Sequence, residues 1–125
     1  MYQAVYAAYQ RDWEFNTAAM ADEYVFEARG TKRIPGLPDS VHGREGYLAM
    51  HRQLLESLDV DRVELDDVIP LEGRRVLALL RFVIRAGDGT FDQQFLDLHT
   101  FREDGALVRQ TIWIDREEGL RELGL

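Results

Sequence analysis

Three runs of strand length follow one another in the second half of the chain, and an Asp-Gly pair lies after each of the first two. The runs cover about residues 76–86, 91–102 and 106–114, and the pairs are Asp88-Gly89 and Asp104-Gly105. Short runs divided by turn residues are typical of β-strands, and Asp-Gly suits the central positions of a tight hairpin turn. The sequence therefore predicts an antiparallel meander, so the chain must build its core on a sheet.

Helical spacing predominates before this meander. Apolar residues three and four positions apart predict helices at about residues 2–10 and 13–21 and a third helix at 44–58. A strand is expected at 24–28, where strand-forming residues are concentrated. The segment between that strand and the third helix holds three glycines and two prolines, so we expect a loop of the kind that often borders a site.

Two further elements complete the prediction. Alternation around 63–69 indicates a strand, which a turn at 72–75 joins to the meander. A helix is expected at 115–123, where Asp115 precedes Glu118 by three residues in a variant of the capping box. This order of elements predicts an α+β fold in which a mixed or antiparallel sheet is wrapped on three N-terminal helices, with a short C-terminal helix.

Length and composition limit the chain to one folded domain and exclude several kinds of partner. With 125 residues, of which 46% are hydrophobic, residues 1–125 are expected to form a single domain with one core. The net charge of -8 disfavours nucleic acid and anionic membranes, because both bind basic surfaces. Apolar runs are too short to span a bilayer and no secretory signal is evident, so we expect a cytoplasmic protein without membrane contact.

The residue types also restrict the chemistry. The chain has no cysteine, which excludes disulfides and thiolate chemistry. The three histidines, His42, His51 and His99, do not have the spacing of a zinc-binding helix. We expect neither a metal nor a cofactor.

Cross-strand pairing in the meander follows from the positions of the two turns. If each Asp-Gly pair occupies the centre of its turn, paired residue numbers sum to 177 in the first hairpin and to 209 in the second. One face is then apolar except in its middle, and we expect helices to cover it. This face carries Val76, Ala78, Leu80, Phe82, Ile84, Phe95, Asp97, His99, Phe101, Val108, Gln110 and Ile112.

The opposite face mixes charges with large apolar side chains. Leu79, Leu96, Leu98 and Trp113 form a patch there that is too apolar to remain in water on a soluble acidic protein. We therefore predict a homodimer that pairs through this face of the sheet.

Four short motifs occur in a fixed order along the chain. They are Ala21-Asp22-Glu23-Tyr24-Val25-Phe26, His42-Gly43-Arg44-Glu45-Gly46, the turn Phe101-Arg102-Glu103-Asp104-Gly105-Ala106-Leu107-Val108, and Trp113-Ile114-Asp115. In this order and spacing they resemble the nuclear transport factor 2-like superfamily, and most closely its SnoaL-like branch, over essentially the whole chain. The resemblance implies a strongly curved sheet wrapped on helices, a conical cavity that opens at one end, and commonly a dimer.

The resemblance does not fix an activity, because the same fold includes isomerases, cyclases, dehydratases, epoxide hydrolases and inert binding modules. The base of the ketosteroid isomerases falls near Ala28, which cannot take a proton, and their acid falls on His99. One aspartate of the limonene epoxide hydrolases corresponds to Ile112. SnoaL-type cyclases use a histidine, which His99 matches, and an acid on the last strand that is replaced here.

Asp97 and His99 are the candidate catalytic residues. They lie two positions apart on one predicted strand, so both side chains leave the same face inside an apolar cavity. A carboxylate and an imidazole in a water-poor pocket can have shifted pKa values and can move protons. The alternative is structural: the two side chains bond each other, Gln110 or a helix end and only satisfy the interior.

The candidate substrate-binding residues surround the same predicted cavity. They are Tyr6, Tyr9, His51, Phe82, Phe95, Phe101, Gln110 and Ile112. Aromatic residues can stack on a flat ligand, although tyrosines of the first helix can equally belong to the core. The histidine of the third helix either lines the cavity or is a core histidine bonded to a backbone carbonyl.

Two functions remain open from the sequence. The first is a cofactor-independent acid-base enzyme of the isomerase, cyclase or dehydratase type that acts on a small hydrophobic, oxygenated molecule. The alternative is a non-catalytic ligand-binding or accessory module on the same fold. The Asp97/His99 pair favours the enzyme, and the missing family acids favour the module.

Overall fold

A six-stranded sheet and two helices make up the described part of the chain. The computed structural model describes residues 20–125. The strands are β1 (Met20–Arg29), β2 (Ser40–His42), β3 (Val60–Leu71), β4 (Arg75–Ala86), β5 (Gly89–Phe101) and β6 (Leu107–Trp113). The helices are α1 (Gly43–Ser57) and α2 (Arg116–Glu122). No helix in this part of the chain has the length and apolarity needed to cross a membrane.

The helical part of the predicted fold is only partly matched. The third predicted helix is α1 and the last is α2, while the predicted helices at 2–10 and 13–21 lie outside the described residues except for Met20 and Ala21. Those two residues were expected to end a helix and instead begin β1, where both are buried. The three-residue strand β2 was also missed, because it lies in a segment that reads as a loop.

The sheet is mixed. Its strand order is β2-β1-β6-β5-β4-β3, with β1 parallel to β6 and every other neighbouring pair antiparallel. The first strand therefore lies between β2 and the last strand of the meander. A parallel pair needs a long crossover, and here β2, α1 and the rest of the meander provide it. The α+β class and the curved mixed sheet are as predicted.

The first hairpin is displaced from its predicted register by two residues. Ala78 pairs with Asp97 and Val76 pairs with His99, whereas Leu80 and Ala78 were the expected partners. The turn residues are Gly87 and Asp88, and Gly87 supplies the positive φ of 59° that a tight hairpin turn requires. Because the displacement is two residues, each side chain stays on its predicted face.

The second hairpin has the predicted register up to a bulge. Asp97 pairs with Ile112 as expected, but the register shifts between Thr100 and Phe101, so Phe101 pairs with Leu107 rather than Val108. A bulge exchanges the faces of the residues beyond it. Leu107 is accordingly fully buried in the core, and Val108 is half-buried instead.

Each face of the sheet has its own apolar cluster. The inner cluster joins β1, the meander and α1 in one core. The outer cluster consists of Leu77, Leu96, Leu98 and Trp113, and Leu120 and Leu123 from the C-terminal segment pack against it. Since Leu96 and Trp113 are buried within the single chain, their apolar character does not require a second copy. The homodimer through this face stays a prediction.

The close approach of α2 to the outer cluster depends on a glycine. A Cβ atom at Gly119 would lie 2.5 Å from Leu96 Cδ2 and 2.8 Å from Trp113 Cγ. Asp115 caps the helix as predicted, since its side chain accepts hydrogen bonds from the backbone N–H groups of Glu117 and Glu118. Arg116, in the first turn, donates to the carbonyl oxygens of Leu80 and Phe95 and so ties the helix to β4 and β5.

The same arginine shares a carboxylate with a neighbour on the sheet. Asp66 accepts from Arg116 at 2.7 Å and from Arg81 at 2.9 Å. Partial burial opposes ionisation of Asp66, but the hydrogen bonds from Arg116 and Arg81 outweigh it and lower the pKa of this carboxyl. A group whose pKa is lowered by folding stabilises the fold above its unfolded pKa and loses that contribution as the pH falls.

Asp66→Asn should therefore reduce the free energy of unfolding near pH 7 by about 1 kcal/mol, the size of one well-placed, partly exposed ion pair. The difference from the wild type should shrink as the pH falls below the ordinary carboxyl pKa of 3.8, because the wild-type side chain is then protonated too. Urea unfolding of both proteins across acid pH measures this. A difference in free energy of unfolding that stays constant as the pH falls would contradict this prediction.

Candidate functional site

A cavity of about 70 Å³ lies between the inner face of the sheet, α1 and the loop that joins β1 to β2. Most of its wall is aliphatic or aromatic. The polar side chains of the wall are Tyr47 and His51 on α1, and Asp97 and Gln110 on the sheet. The apolar wall residues are Phe26, Ile34, Leu37, Met50, Leu54, Leu80, Phe82, Phe95 and Ile112.

A chain of hydrogen bonds runs across three adjacent strands beside the cavity. The Tyr24 hydroxyl on β1 donates to Gln110 Oε1 on β6 at 2.9 Å, and Gln110 Nε2 donates to Asp97 Oδ2 on β5 at 2.7 Å. All three side chains are buried. A carboxylate only accepts hydrogen bonds, so Asp97 requires the NH₂ group of the Gln110 amide. The amide oxygen therefore faces Tyr24 and accepts from its hydroxyl. Gln110 thus holds the carboxylate in one orientation.

His99 stands behind this carboxylate rather than in the cavity wall. Its Nε2 lies 3.8 Å from Asp97 Oδ2, which is beyond hydrogen-bond range but close enough for an ion pair when the ring is protonated. The imidazole is fully buried and stacks on Phe101, with ring centroids 6.5 Å apart. Neither His99 nor Phe101 is among the described wall residues of this cavity, where the sequence analysis placed them, and the Gln110 amide bonds to Asp97, which is one of the contacts that the structural alternative proposed.

The helical side of the cavity is aromatic. Tyr47 packs edge-to-face on Tyr24, with ring centroids 5.8 Å apart. The centroid of its ring is 5.7 Å from that of the His51 ring. His51 is buried and lies in the wall, as one of its two sequence interpretations proposed. The ligand would therefore meet an aromatic helix on one side and the Asp97 carboxylate on the other.

The structure brings most of the predicted residues together. His51, Phe82, Phe95, Asp97, Gln110 and Ile112 are in the wall, and Tyr6 and Tyr9 lie outside the described residues. The predicted register pairs Phe82 with Phe95, whereas in the structure Phe82 pairs with Gln93. The two phenylalanine rings are nevertheless in contact, with centroids 4.5 Å apart.

Some of the wall residues that the sequence analysis missed could have been deduced from a helical pattern, and others could not. Tyr47 and Leu54 share the apolar stripe of the third predicted helix with His51, so their place could have been deduced from it. Ile34 and Leu37 belong to an irregular loop, where no periodicity indicates the direction of a side chain. Within residues 20–125, no group of three or more His, Asp or Glu side chains is placed to hold a metal ion.

Tyr24 is the group whose ionisation the site affects most. Burial is the main cause of its raised pKa, and the neighbouring Tyr47 and Asp97 raise it further. The folded protein therefore keeps this phenol protonated at alkaline pH at which an exposed tyrosine would ionise. The hydroxyl therefore stays a donor to Gln110 at neutral and alkaline pH.

Tyr24→Phe should lower the free energy of unfolding by about 1–2 kcal/mol at neutral pH, because it leaves the buried Gln110 oxygen without this donor. Above pH 10, the ordinary tyrosine pKa, the unfolded wild type ionises Tyr24 while the folded state does not, so wild-type stability falls as the pH rises. The difference in free energy of unfolding between the wild type and Tyr24→Phe should then become smaller. Denaturant unfolding between pH 8 and roughly pH 11 measures it, and a constant gap would contradict this assignment.

Comparison with solved structures places this architecture among known proteins. An NTF2-like protein of unknown function from Burkholderia pseudomallei is 23% identical, with a TM-score of 0.72, and the alignment covers 95% of this chain and 93% of that one. TerC, co-crystallised with polyporic acid, is 22% identical with a TM-score of 0.70 over 97% and 92% of the two chains.

A Mycobacterium tuberculosis protein in complex with estradiol-17beta-hemisuccinate is 18% identical, with a TM-score of 0.67 over 93% of this chain and 92% of that one. At these identities the likeness shows the fold alone. A search of curated protein sequences gave no significant match.

The family model of the SnoaL-like domain matches residues 2–110, most of the chain. The match runs from β1 to Gln110 in the middle of β6, so it includes every described wall residue of the cavity except Ile112. The chain belongs to the SnoaL-like family, with the nuclear transport factor 2-like fold.

Proposed function

We propose that the cavity binds a small, uncharged, mostly apolar molecule that carries oxygen, and that Asp97 takes a proton from it. The observation that supports this most is the position of the Asp97 carboxylate. It lies in the wall of an otherwise largely apolar cavity, is 4% exposed, and is held from one side by the Gln110 amide. A carboxylate held in one orientation at the wall of an apolar cavity has the geometry of a general base.

The charge of the wall indicates the charge of the ligand. Among the described wall residues, Asp97 carries the negative charge, and none is a lysine or an arginine. An anionic ligand would bury its charge beside a like charge, which is costly in a region of low polarity. A hydroxyl or an acidic C–H group can instead approach the carboxylate as a donor. The site therefore favours neutral alcohols, phenols and ketones over carboxylates.

The proposed chemistry is proton transfer next to a carbonyl group. An Asp97 oxygen takes the proton from the carbon beside the carbonyl, and the C–H electron pair moves into the new C=C bond as the carbonyl oxygen becomes an enolate. The Asp97 carboxyl then returns the proton to another carbon, which completes an isomerisation. Alternatively it exchanges its proton with solvent and returns a solvent proton to the same carbon, which completes an exchange. Tyr47 and His51, on the helical wall, carry the polar groups that can donate to the enolate oxygen.

His99 has a supporting role in this proposal. It does not reach the ligand through the described wall, but its ring is 3.8 Å from the Asp97 oxygen that Gln110 also contacts. It acts on the reaction through the electrostatic surroundings of Asp97. We therefore assign the proton transfer to Asp97 and the positioning of the carboxylate to Gln110 and His99.

A second candidate function is binding without turnover. Two positions where related enzymes carry acids hold Ala28 and Ile112 here, and the structure makes these residues direct partners on the parallel strands β1 and β6. Both are buried in the inner core. The wall beside them is thus apolar, which suits a module that only holds its ligand.

A matched set of ligands tests the binding proposal. The neutral donor 2-naphthol should raise the melting temperature more than naphthalene, which cannot donate, and more than 2-naphthoate, which is an anion. In Asp97→Asn the affinity for 2-naphthol should fall roughly tenfold, the effect of losing one hydrogen bond to a charged group, while naphthalene binding stays unchanged. Thermal shift and calorimetry measure both effects.

The control is Asp88→Asn, which removes the same charge from the exposed turn between β4 and β5. It should bind all three compounds like the wild type. Equal affinity of the wild type for 2-naphthol and 2-naphthoate would show that Asp97 does not select for charge, and the proposal would fail.

Proton transfer itself can be tested with 2-tetralone, a neutral apolar ketone with acidic C–H groups beside its carbonyl. The wild type in D₂O should accelerate exchange of these protons for deuterium, and Asp97→Asn should reduce that acceleration by about a hundredfold, the usual contribution of a general base. Proton NMR follows the exchange. Asp97-dependent binding of 2-naphthol without any accelerated exchange would support the binding module instead.

A further inference from the structure

The loop at residues 30–39, which joins β1 to β2, lies between one side of the cavity and the protein surface. Ile34 and Leu37 from this loop, with Met50 and Leu54 from α1, line the cavity on one side and a surface groove on the other. The rest of that groove includes exposed residues of the loop and of the second half of α1. Four apolar side chains therefore form the partition between the inner and the outer space.

Within residues 20–125, the partition is held by apolar packing. The backbone hydrogen bond described for the tip of the loop runs from the N–H of Leu37 to the carbonyl of Ile34, within the loop itself. Ile34, Leu37 and Leu54 are only partly buried where they pack on the core. When these apolar contacts separate, the turn at the tip loses the packing that supports it, so its hydrogen bond opens as the tip moves away from α1, at a modest cost in free energy.

The start of the loop is fixed by the C-terminal helix. The Glu118 carboxylate on α2 accepts from the Thr31 backbone N–H at 2.8 Å and from the Thr31 hydroxyl at 3.0 Å. The preceding residue is Gly30, with φ of 87°, and a Cβ atom there would lie 2.3 Å from Glu118 Oε1. Loop and helix thus approach so closely that a side chain at Gly30 would displace the carboxylate.

We propose that residues 34–37 are the gate through which ligands reach the cavity, and that Glu118 sets how often this gate opens. The inference rests on the proposed function in one respect, that the cavity is the ligand site. Because the gate is lined by Ile34, Leu37, Met50 and Leu54, it passes apolar molecules and excludes strongly hydrated ones. The C-terminal helix, which packs on the outer face of the sheet, thereby controls access to the inner face.

The size of the expected effect follows from the two hydrogen bonds of Glu118. Each of these partly exposed hydrogen bonds contributes modestly to the stability of the closed loop. Losing both should therefore increase the population of the open loop about tenfold. While the open form remains the minor one, the association and dissociation rates of a ligand rise together, and the dissociation constant hardly changes.

The first measurement is amide hydrogen exchange, which needs no ligand. The Leu37 amide, hydrogen-bonded inside the loop, should exchange about tenfold faster in Glu118→Ala than in the wild type. Thr31→Val removes only the hydroxyl bond and should give a smaller acceleration. Glu117→Ala, which removes the same charge from the neighbouring position of the same helix turn, should leave exchange at Leu37 unchanged.

The second measurement is stopped-flow binding of 2-naphthol. Both rate constants should rise about tenfold in Glu118→Ala, with a dissociation constant within about twofold of the wild type, and Glu117→Ala should match the wild type. Unchanged exchange at Leu37 overturns the proposal, and so does faster exchange with unchanged binding rates. Complete failure of the wild type to bind 2-naphthol instead contradicts the proposed function, and it removes the gate's role with it.

Discussion

The parallel pairing of β1 with β6 is the constraint on which the rest of this structure depends. It joins the first strand to the last one, so that Phe26 lies beside Gln110 and Arg29 beside Trp113. One consequence is chemical. Tyr24, two positions before Phe26 on β1, donates to the Gln110 amide and fixes the direction in which that amide faces Asp97. Another is spatial, because β1 ends near the start of α2 and the following loop comes within hydrogen-bond distance of that helix. Loss of this one pairing would remove Tyr24 from the amide that holds the carboxylate, and it would separate the loop from its anchor.

Local patterns in the sequence were sufficient for the meander but not for this pairing. Turn residues and a period of two determine which side chains share a face, and they do so robustly: the first hairpin is displaced by two residues, yet Asp97 remains on the inner face. A bulge has no comparable signal, so Leu107 and Val108 were exchanged. The partners Tyr24 and Gln110 are 86 positions apart, and no local periodicity relates one to the other. Asp97 and its neighbour Gln110 could therefore be placed together from the sequence, whereas the contact of Tyr24 with that amide could not.

The outer face of the sheet illustrates a second limit of sequence patterns. Apolar side chains at Leu96 and Trp113 correctly indicated a surface that must be covered, but the identity of the cover is a tertiary property. Here the short C-terminal helix covers them, and it can do so because Gly119 lets its backbone approach Leu96 and Trp113 to within a distance that no other residue permits. An amphipathic segment of seven residues gives too weak a pattern to show which of several apolar surfaces it will cover.

The energetics of the buried network bear on whether it serves the fold or a ligand. A buried carboxylate is expensive to desolvate, and polar networks of this kind are often no more stabilising than apolar side chains of equal volume. Stability alone therefore gives little reason for Tyr24, Gln110, Asp97 and His99 to occupy the centre of an apolar face. Their arrangement is also asymmetric: Gln110 and Asp97 reach the cavity wall, while Tyr24 and His99 stand behind them. A network that only satisfied itself would have no need to present its carboxylate to an internal space. Exposure of the one acidic member to the cavity, with its partners placed to orient it, is what proton transfer to or from a bound molecule requires.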